Sequence, residues 1–159
     1  MKIIVALCKD FGIGINNKLP WNIKKDLFNF KNKTIGSGNN AIIMGKNTWN
    51  SLPKKPLPNR FNCILSSSLN IDDCNAKTFK NTSDLDTFIE NKNFDDVWII
   101  GGENVYNKYI FHPNLNEIYI TKIEEGFACD TYFPNLPFCF SLKQSSNNFN
   151  ENNINFNFQ

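Results

Sequence analysis

The sequence has a single histidine, His112, and a single arginine, Arg60, among 159 residues. One histidine excludes a histidine-rich metal centre, and a Ser-His-Asp triad would have to be built on a residue in a turn-like Phe-His-Pro setting. No two cysteines stand as CxxC. The five present (Cys8, Cys63, Cys74, Cys129, Cys139) are odd in number. That argues against a disulfide framework or a thiolate zinc site and fits thiols in a reducing compartment. GxGxxG and GxxxxGK[ST] are both absent, so neither a Rossmann fingerprint nor a P-loop is available. No apolar run approaches the length of a membrane span. The short run ending at Cys8 stops at Lys9-Asp10, too soon for a signal peptide. Excess charge is missing as well: the net charge is +2 and no basic run exceeds two residues, so no bulk attraction to nucleic acid is expected. These absences lead to the expectation of a soluble, cytoplasmic protein without metal.

What is present suits one compact domain over 1–159, with 41% hydrophobic and 14% aromatic residues. Asparagine occurs 28 times, which weakens inference from any single Asn. Lys2 to Cys8 is apolar on both faces, as a central strand is. Asp10 to Lys18 is a loop long enough to act as a flap. Ala41 to Met44 reads as a short buried strand ending at Gly45, and Lys46 to Leu52 as a short helix closed by Pro53. Phe61 to Leu65 is a strand, Ala76 to Phe79 an edge strand, and Thr82 or Ser83 caps a helix to about Asn91. Val97 to Ile100 is buried and runs into Gly101-Gly102; Glu103 to Ile110 is helical. Asn116 to Ile123 alternates. Phe138 to Gln144 and Ile154 to Phe158 read as a closing antiparallel pair, with Asn147 to Asn153 as a long turn. The pattern predicts an α/β fold: a central, mostly parallel mixed sheet of about eight strands with antiparallel C-terminal strands, flanked by about four helices.

One stretch organises the chain. Pro20 ends what precedes it, Asn22 is positioned as an N-cap, and Ile23 to Lys33 contains no Gly or Pro. On that helix Ile23, Leu27, Phe30 and Thr34 share one face. Asp26 sits at the edge of the same face. An acid there is costly unless paired, so it lies near a rim or serves a partner. Flanked by Trp21, Leu27 and Phe30, it could accept two parallel N–H bonds from a flat nitrogen-rich ring. An exposed helix acid favoured by the helix dipole is the plainer reading.

Three strand ends lead into helix starts or turns: Gly45-Lys46-Asn47-Thr48, Leu65-Ser66-Ser67 and Gly101-Gly102-Glu103-Asn104. Backbone N–H groups at such places bind phosphate, and Lys46, Ser66 and Ser67 add donors for an extra one, as NADP requires. Each alone reads more readily as a tight turn, and it is the three together that raise the nucleotide reading. Arg60 lies in a loop stiffened by Pro56 and Pro58, and its planar fork can grip a carboxylate as lysine cannot.

These residues fall into blocks. In order they are Ile13-Gly14 with Leu19-Pro20-Trp21, Asp26-Leu27-x-x-Phe30-Lys31, Met44-Gly45-Lys46-x-Thr48-Trp49, Pro56-Leu57-Pro58-x-Arg60, Ile64-Leu65-Ser66, Ile100-Gly101-Gly102-x-x-Val105-Tyr106 and Asp130-Thr131-x-Phe133-Pro134. With these seven blocks the chain resembles the dihydrofolate reductases over essentially its whole length.

The resemblance implies NADPH-dependent reduction of dihydrofolate by a monomer, feeding one-carbon metabolism. It implies that Asp26 is the active-site acid, bonded by Thr121, and that Trp21 holds a water nearby. Ile4, Ala6, Leu27, Phe30, Leu52, Leu57 and Ile100 would form the substrate pocket. Arg60 would grip the substrate's α-carboxylate, assisted by Lys31 and Lys54. Gly101-Gly102 would be the family's cis pair beside the cofactor, with Tyr106 near the nicotinamide. Ile13, Gly14, Asn17, Lys18 and Leu19 belong to the flap over the cofactor. Gly45, Lys46, Asn47 and Thr48 would hold phosphate, as would Leu65, Ser66, Ser67 and Lys80. Glu103, Asn104 and Val105 complete the cofactor side. The apolar neighbours of Asp26 predict a raised pKa.

Three features depart from the family: the acid Glu103 after the glycine pair, the uncharged Asn47 beside Lys46, and the Gly36-Ser37-Gly38 turn. Two other readings stand beside this one. A same-fold riboflavin-pathway pyrimidine reductase would not need Asp26 or Arg60 in these roles. A nucleotide-binding module without catalysis would not need Trp21, Asp26 or the flap.

Overall fold

The computed structural model describes residues 1–159. Its strands are β1 (Lys2–Leu7), β2 (Gly12–Gly14), β3 (Asn40–Gly45), β4 (Arg60–Leu65), β5 (Asp72–Asp73), β6 (Ala76–Phe79), β7 (Val97–Gly101), β8 (Glu117–Ile123), β9 (Thr131–Tyr132), β10 (Phe149–Glu151) and β11 (Ile154–Phe158). The helices are α1 (Lys24–Ile35), α2 (Lys46–Ser51), α3 (Thr82–Glu90) and α4 (Glu103–Tyr109). Nine strands form one sheet in the order β10-β11-β8-β1-β7-β3-β4-β6-β5, and β2 pairs with β9 separately. Pairing is parallel from β8 through β6 and antiparallel at both margins. No helix is long and apolar enough to cross a membrane.

The period-two geometry of a strand sorts the buried residues onto two faces. Ile3, Val5, Ala41, Ile43, Cys63, Val97 and Ile99 pack on one side with Leu85 and Ile89 of α3 and Val105, Tyr106 and Tyr109 of α4. Ile4, Ile42, Met44, Ile64 and Trp98 pack on the other with Trp49 of α2 and Phe30 of α1. Both faces of the central strands are covered, which is why their sequences show unbroken apolar runs.

Several local expectations are corrected. The Asp10–Lys18 stretch is not wholly loop: a 3₁₀ turn at Lys9–Phe11 leads into β2, which pairs with β9. Strand β6 is not the edge, because the two-residue β5 lies outside it. The N-cap of α3 is Asn81, whose side chain accepts the Asp84 N–H at 2.9 Å, rather than Thr82 or Ser83. Asn22 does not cap α1. The cap position is Ile23, and the Lys24 and Lys25 N–H groups donate instead to Glu151.

The closing pair is β10 with β11, not Phe138–Gln144 with β11. Between β8 and β10 no free edge of β11 remains for Phe138–Gln144, and Phe138 and Leu142 stay exposed. The expected long turn over 147–153 contains β10, and only Asn152-Asn153 turns, both at positive φ. Such a pair suits a two-residue hairpin, and asparagine tolerates that conformation better than most residues.

Candidate active site

Strand β1 keeps both neighbours only through Lys2 and Ile3. From Ile4 onward it stays paired with β8 alone, and β7 diverges from it. The gap opens a cleft of about 940 Å³ at the carboxyl ends of β1, β7, β3 and β4. Open α/β sheets bind ligands at this place, where adjacent parallel strands part. Ile4, Ala6, Ile100 and Gly101 form the walls of the gap. The freed Ile4 carbonyl does not stay unpaired, because the buried Tyr106 hydroxyl donates to it at 2.9 Å. Burial pushes the Tyr106 pKa up, so the phenol stays neutral.

One wall comes from α1, which contributes Asp26, Leu27 and Phe30. Asp26 is 8% exposed. Thr121 of β8 donates to its Oδ1 at 2.6 Å. Burial raises the Asp26 pKa and the Thr121 bond opposes the shift; burial prevails. The acid is therefore held where its proton is easier to keep than in water. Leu27 and, from the flap, Leu19 are half-exposed toward the cleft, giving apolar surface beside one polar anchor. Ile13, Gly14, Asn17 and Lys18 line the same side, and Leu52 closes it from behind α2.

The far end is built differently. Gly45, Lys46, Asn47 and Thr48 meet Leu65, Ser66, Ser67 and Lys80 there, opposite Gly102, Glu103, Asn104 and Val105. Neither α2 nor α4 has a side-chain cap, so their first-turn N–H groups lack that partner. Gly101 lies at φ +116°, and a Cβ there would come within 3.2 Å of the Tyr106 ring. Only glycine lets the backbone lie this close to the ring. The Gly101-Gly102 peptide is cis. Lys18, Lys46, Lys80 and Lys108 outnumber the two lining acids, Asp26 and Glu103. Open N–H groups, serine hydroxyls and lysines are a donor set for phosphates, so the residues present fit a dinucleotide.

Six residues named from the sequence do not line this cleft. Thr121 stands behind Asp26. Trp21 is buried, packs edge-on against Phe127, and its Nε1 has no hydrogen-bond partner. Lys31 and Lys54 are exposed. Leu57 packs against the core cluster that includes Ile42, Trp49 and Ile64, its backbone held by Asn62. Arg60 is buried at the start of β4, donating to Thr34 Oγ1 at 2.6 Å and to the Pro58 carbonyl at 3.1 Å. Its guanidinium carbon lies 5.9 Å from the Phe30 ring centre. Phe30 thus links the arginine to the cleft.

The cleft also has lining residues that the sequence reading passed over: Val5, Ser51, Pro53 and Ser68, then Asn81, Thr82, Lys108 and Thr131. Ser68 had a local signal, the Ser66-Ser67-Ser68 run, and it accepts the Lys46 ammonium at 2.8 Å. Thr131 had one too, in the Asp130-Thr131-x-Phe133-Pro134 block, whereas Lys108 had none, since only tertiary folding brings it here.

A parted, mostly parallel sheet with a buried acid on one wall and a phosphate-type donor set on the other places the protein among the small α/β enzymes. A family model described as "Dihydrofolate reductase" matches residues 1–159. Dihydrofolate reductase of Drosophila melanogaster is 38% identical over 148 residues, covering 87% of this chain and 81% of that protein. The Heliothis virescens enzyme of the same name is 35% identical over 149 residues, covering 86% and 80%. A bifunctional dihydrofolate reductase-thymidylate synthase of Arabidopsis thaliana is 33% identical over 160 residues, 89% of this chain but 28% of that longer protein. The chain belongs to the dihydrofolate reductase family.

Proposed function

We propose that this chain reduces 7,8-dihydrofolate to 5,6,7,8-tetrahydrofolate with NADPH. The observation that carries the reading is Asp26, buried on the cleft wall with Oδ1 held by Thr121 and no protein partner at Oδ2. When bound, the nicotinamide supplies the hydride that the pterin accepts at C6.

The rest falls to the chain. Asp26 accepts the pterin's amino and ring N–H groups as a pair, which fixes the ring's orientation. Its raised pKa eases uptake of a proton by the same carboxyl and so favours protonation at N5. Phe30, Leu27, Leu52 and Ile100 clamp the ring and its benzoyl extension and exclude water. Arg60 holds the substrate's far carboxylate, with Lys31 and Lys54 adding charge at the rim. Thr34 and the Pro58 carbonyl orient the Arg60 fork before substrate arrives. Lys46, Ser66, Ser67 and Lys80 hold the cofactor's phosphates, and the flap from Gly14 to Leu19 closes over the site. Trp21 Nε1, buried without a protein partner, suits a water at the edge of the site.

We place the protein in the cytoplasm, a reducing compartment suited to its five unpaired thiols, acting as a monomer without nucleic acid. Mixing the protein with NADPH and dihydrofolate and following the reduced-nicotinamide absorbance tests the reading. Oxidation of the cofactor that depends on dihydrofolate is expected. Tight binding of both ligands with no turnover would overturn it in favour of an inactive binding module.

A further inference from the structure

The end of β1 and the segment before β9 bring together two cysteines that the proposed reaction does not use. The Sγ atoms of Cys8 and Cys129 lie 3.8 Å apart, although 121 positions separate them in the chain. Cys8 is buried, its thiol also directed to the Lys9 carbonyl at 3.4 Å; Cys129 is half-buried and is the member that solvent reaches. Gly12 makes the approach feasible. A Cβ built there would stand 2.6 Å from Cys129 Sγ and 3.0 Å from Cys8 Sγ. The other three thiols differ in setting: Cys63 is buried, its pKa pushed up to about 12, and Cys74 and Cys139 are exposed.

The pair sits at the root of the flap. The Cys8 N–H donates to the Gly12 carbonyl at 2.9 Å. Next to Cys129, the Asp130 N–H donates to the Gly14 carbonyl at 3.0 Å, and Asp130 Oδ2 accepts the Asn16 N–H at 2.8 Å. Each sulfur therefore belongs to a segment that holds the flap.

We propose that Cys8 and Cys129 form a redox modification site, reactive toward small-molecule disulfides, that closes into a reversible disulfide and ties down the flap root. The Cys129 thiolate attacks one sulfur of glutathione disulfide, forming a mixed disulfide and releasing one glutathione thiolate. The Cys8 thiolate then attacks the Cys129 sulfur, forming the internal bond and releasing the second glutathione. Two protein thiols are oxidised, one glutathione disulfide is reduced to two glutathiones, and the two thiol protons end on them or on solvent. The two sulfurs must come together from contact distance to about 2 Å, a bonded separation. Burial and the adjacent Cys8 thiol hold the Cys129 pKa above its ordinary value, so the first attack is slow at neutral pH and the pair responds to sustained oxidation. The consequence for turnover rests on the proposed reduction; the disulfide itself does not.

The test uses the full chain with Cys74→Ser and Cys139→Ser, which removes the exposed thiols. After incubation with excess glutathione disulfide and acid quench, alkylation and peptide mass mapping should show a link between residues 8 and 129. The same sample should show loss of two free thiols and a mass lower by about 2 Da, restored by dithiothreitol. Turnover should fall about threefold or more and recover with the reductant. With Cys8→Ser added, Cys129 should instead stop at a glutathione adduct. Two thiols that remain fully alkylatable, or a persistent glutathione adduct on Cys129 while Cys8 is intact, would overturn the site. A link formed with unchanged turnover would overturn its effect on the flap. A protein inactive before oxidation would count against the proposed reduction, and the peptide map would still decide the disulfide.

Discussion

The carboxylate of Glu151 accepts the backbone N–H of Lys24 at 2.7 Å, and that of Lys25 at 3.1 Å through its second oxygen. A residue of the C-terminal hairpin thus caps the helix that carries Asp26. The capped N–H groups hold the Glu151 pKa below its ordinary value. A depressed carboxylate pKa contributes stability that is present above the unfolded-state value and lost as pH falls through the folded one. Glu151→Ala should therefore lower the melting temperature at neutral pH, and its difference from the parent should shrink in acid. Thermal melts of both proteins across pH check this.

Asp26 has the opposite sign. Its pKa is raised by burial, so the folded state binds the proton more tightly than the unfolded chain does. Stability from this group falls as pH rises from the ordinary aspartate value through the folded one. Asp26→Asn should melt higher than the parent at neutral pH, with the gap closing in acid. The same change should cut turnover on dihydrofolate by about 10²-fold or more, the usual worth of a positioned proton donor. In the parent, turnover should decline as pH rises past the raised pKa. A pH-rate profile and paired melts read all three.

Arg60 offers a separable test of binding. Arg60→Lys keeps the charge and loses the two-pronged geometry that Thr34 and Pro58 orient. KM for dihydrofolate should rise about 10- to 100-fold, as for a lost charge-assisted bond, while kcat stays nearly constant. A reduced pteridine without the carboxylate tail should react equally well with both proteins. Steady-state kinetics on the two substrates distinguish a lost grip from a damaged fold.

Glu103 lines the cleft at the start of α4, among lysines suited to phosphate. Its charge opposes theirs at the partly exposed surface, an effect of about 1 kcal/mol at contact distance in water. Glu103→Ser should tighten NADPH binding by about two- to fivefold. The gain should diminish as salt is added. Fluorescence titration with NADPH at two ionic strengths checks both parts.

Much of this site could be read along the chain because its signals are local. Asp26 at the edge of an apolar helical face, glycines at strand ends and an arginine just after two prolines each fall within a few residues of their context. What escaped is long-range. The cap of α1 lies 127 positions downstream, so no local window holds it, and the neighbouring Asn22 has only the residue type of a cap. Thr121 is 95 positions from its acid and was named only through family resemblance. The closing strand was misplaced because Phe138–Gln144 alternates as strands do, whereas the edge it needed goes to β10. At α3 the error was one of competition: Asn81, Thr82 and Ser83 are all good caps, and only the Asp84 N–H shows which serves.

Thr121 is flanked by Ala6 on one side and Phe158 on the other. During synthesis Asp26 leaves the ribosome long before Glu151 and Phe158 do. Strand pairings of this sequence separation form late, after a costly loop closure. The acid is consequently without its cap and its closing strand until that distant stretch has been made. A nascent chain halted before Phe149 would carry every cleft residue yet lack the support that seats them.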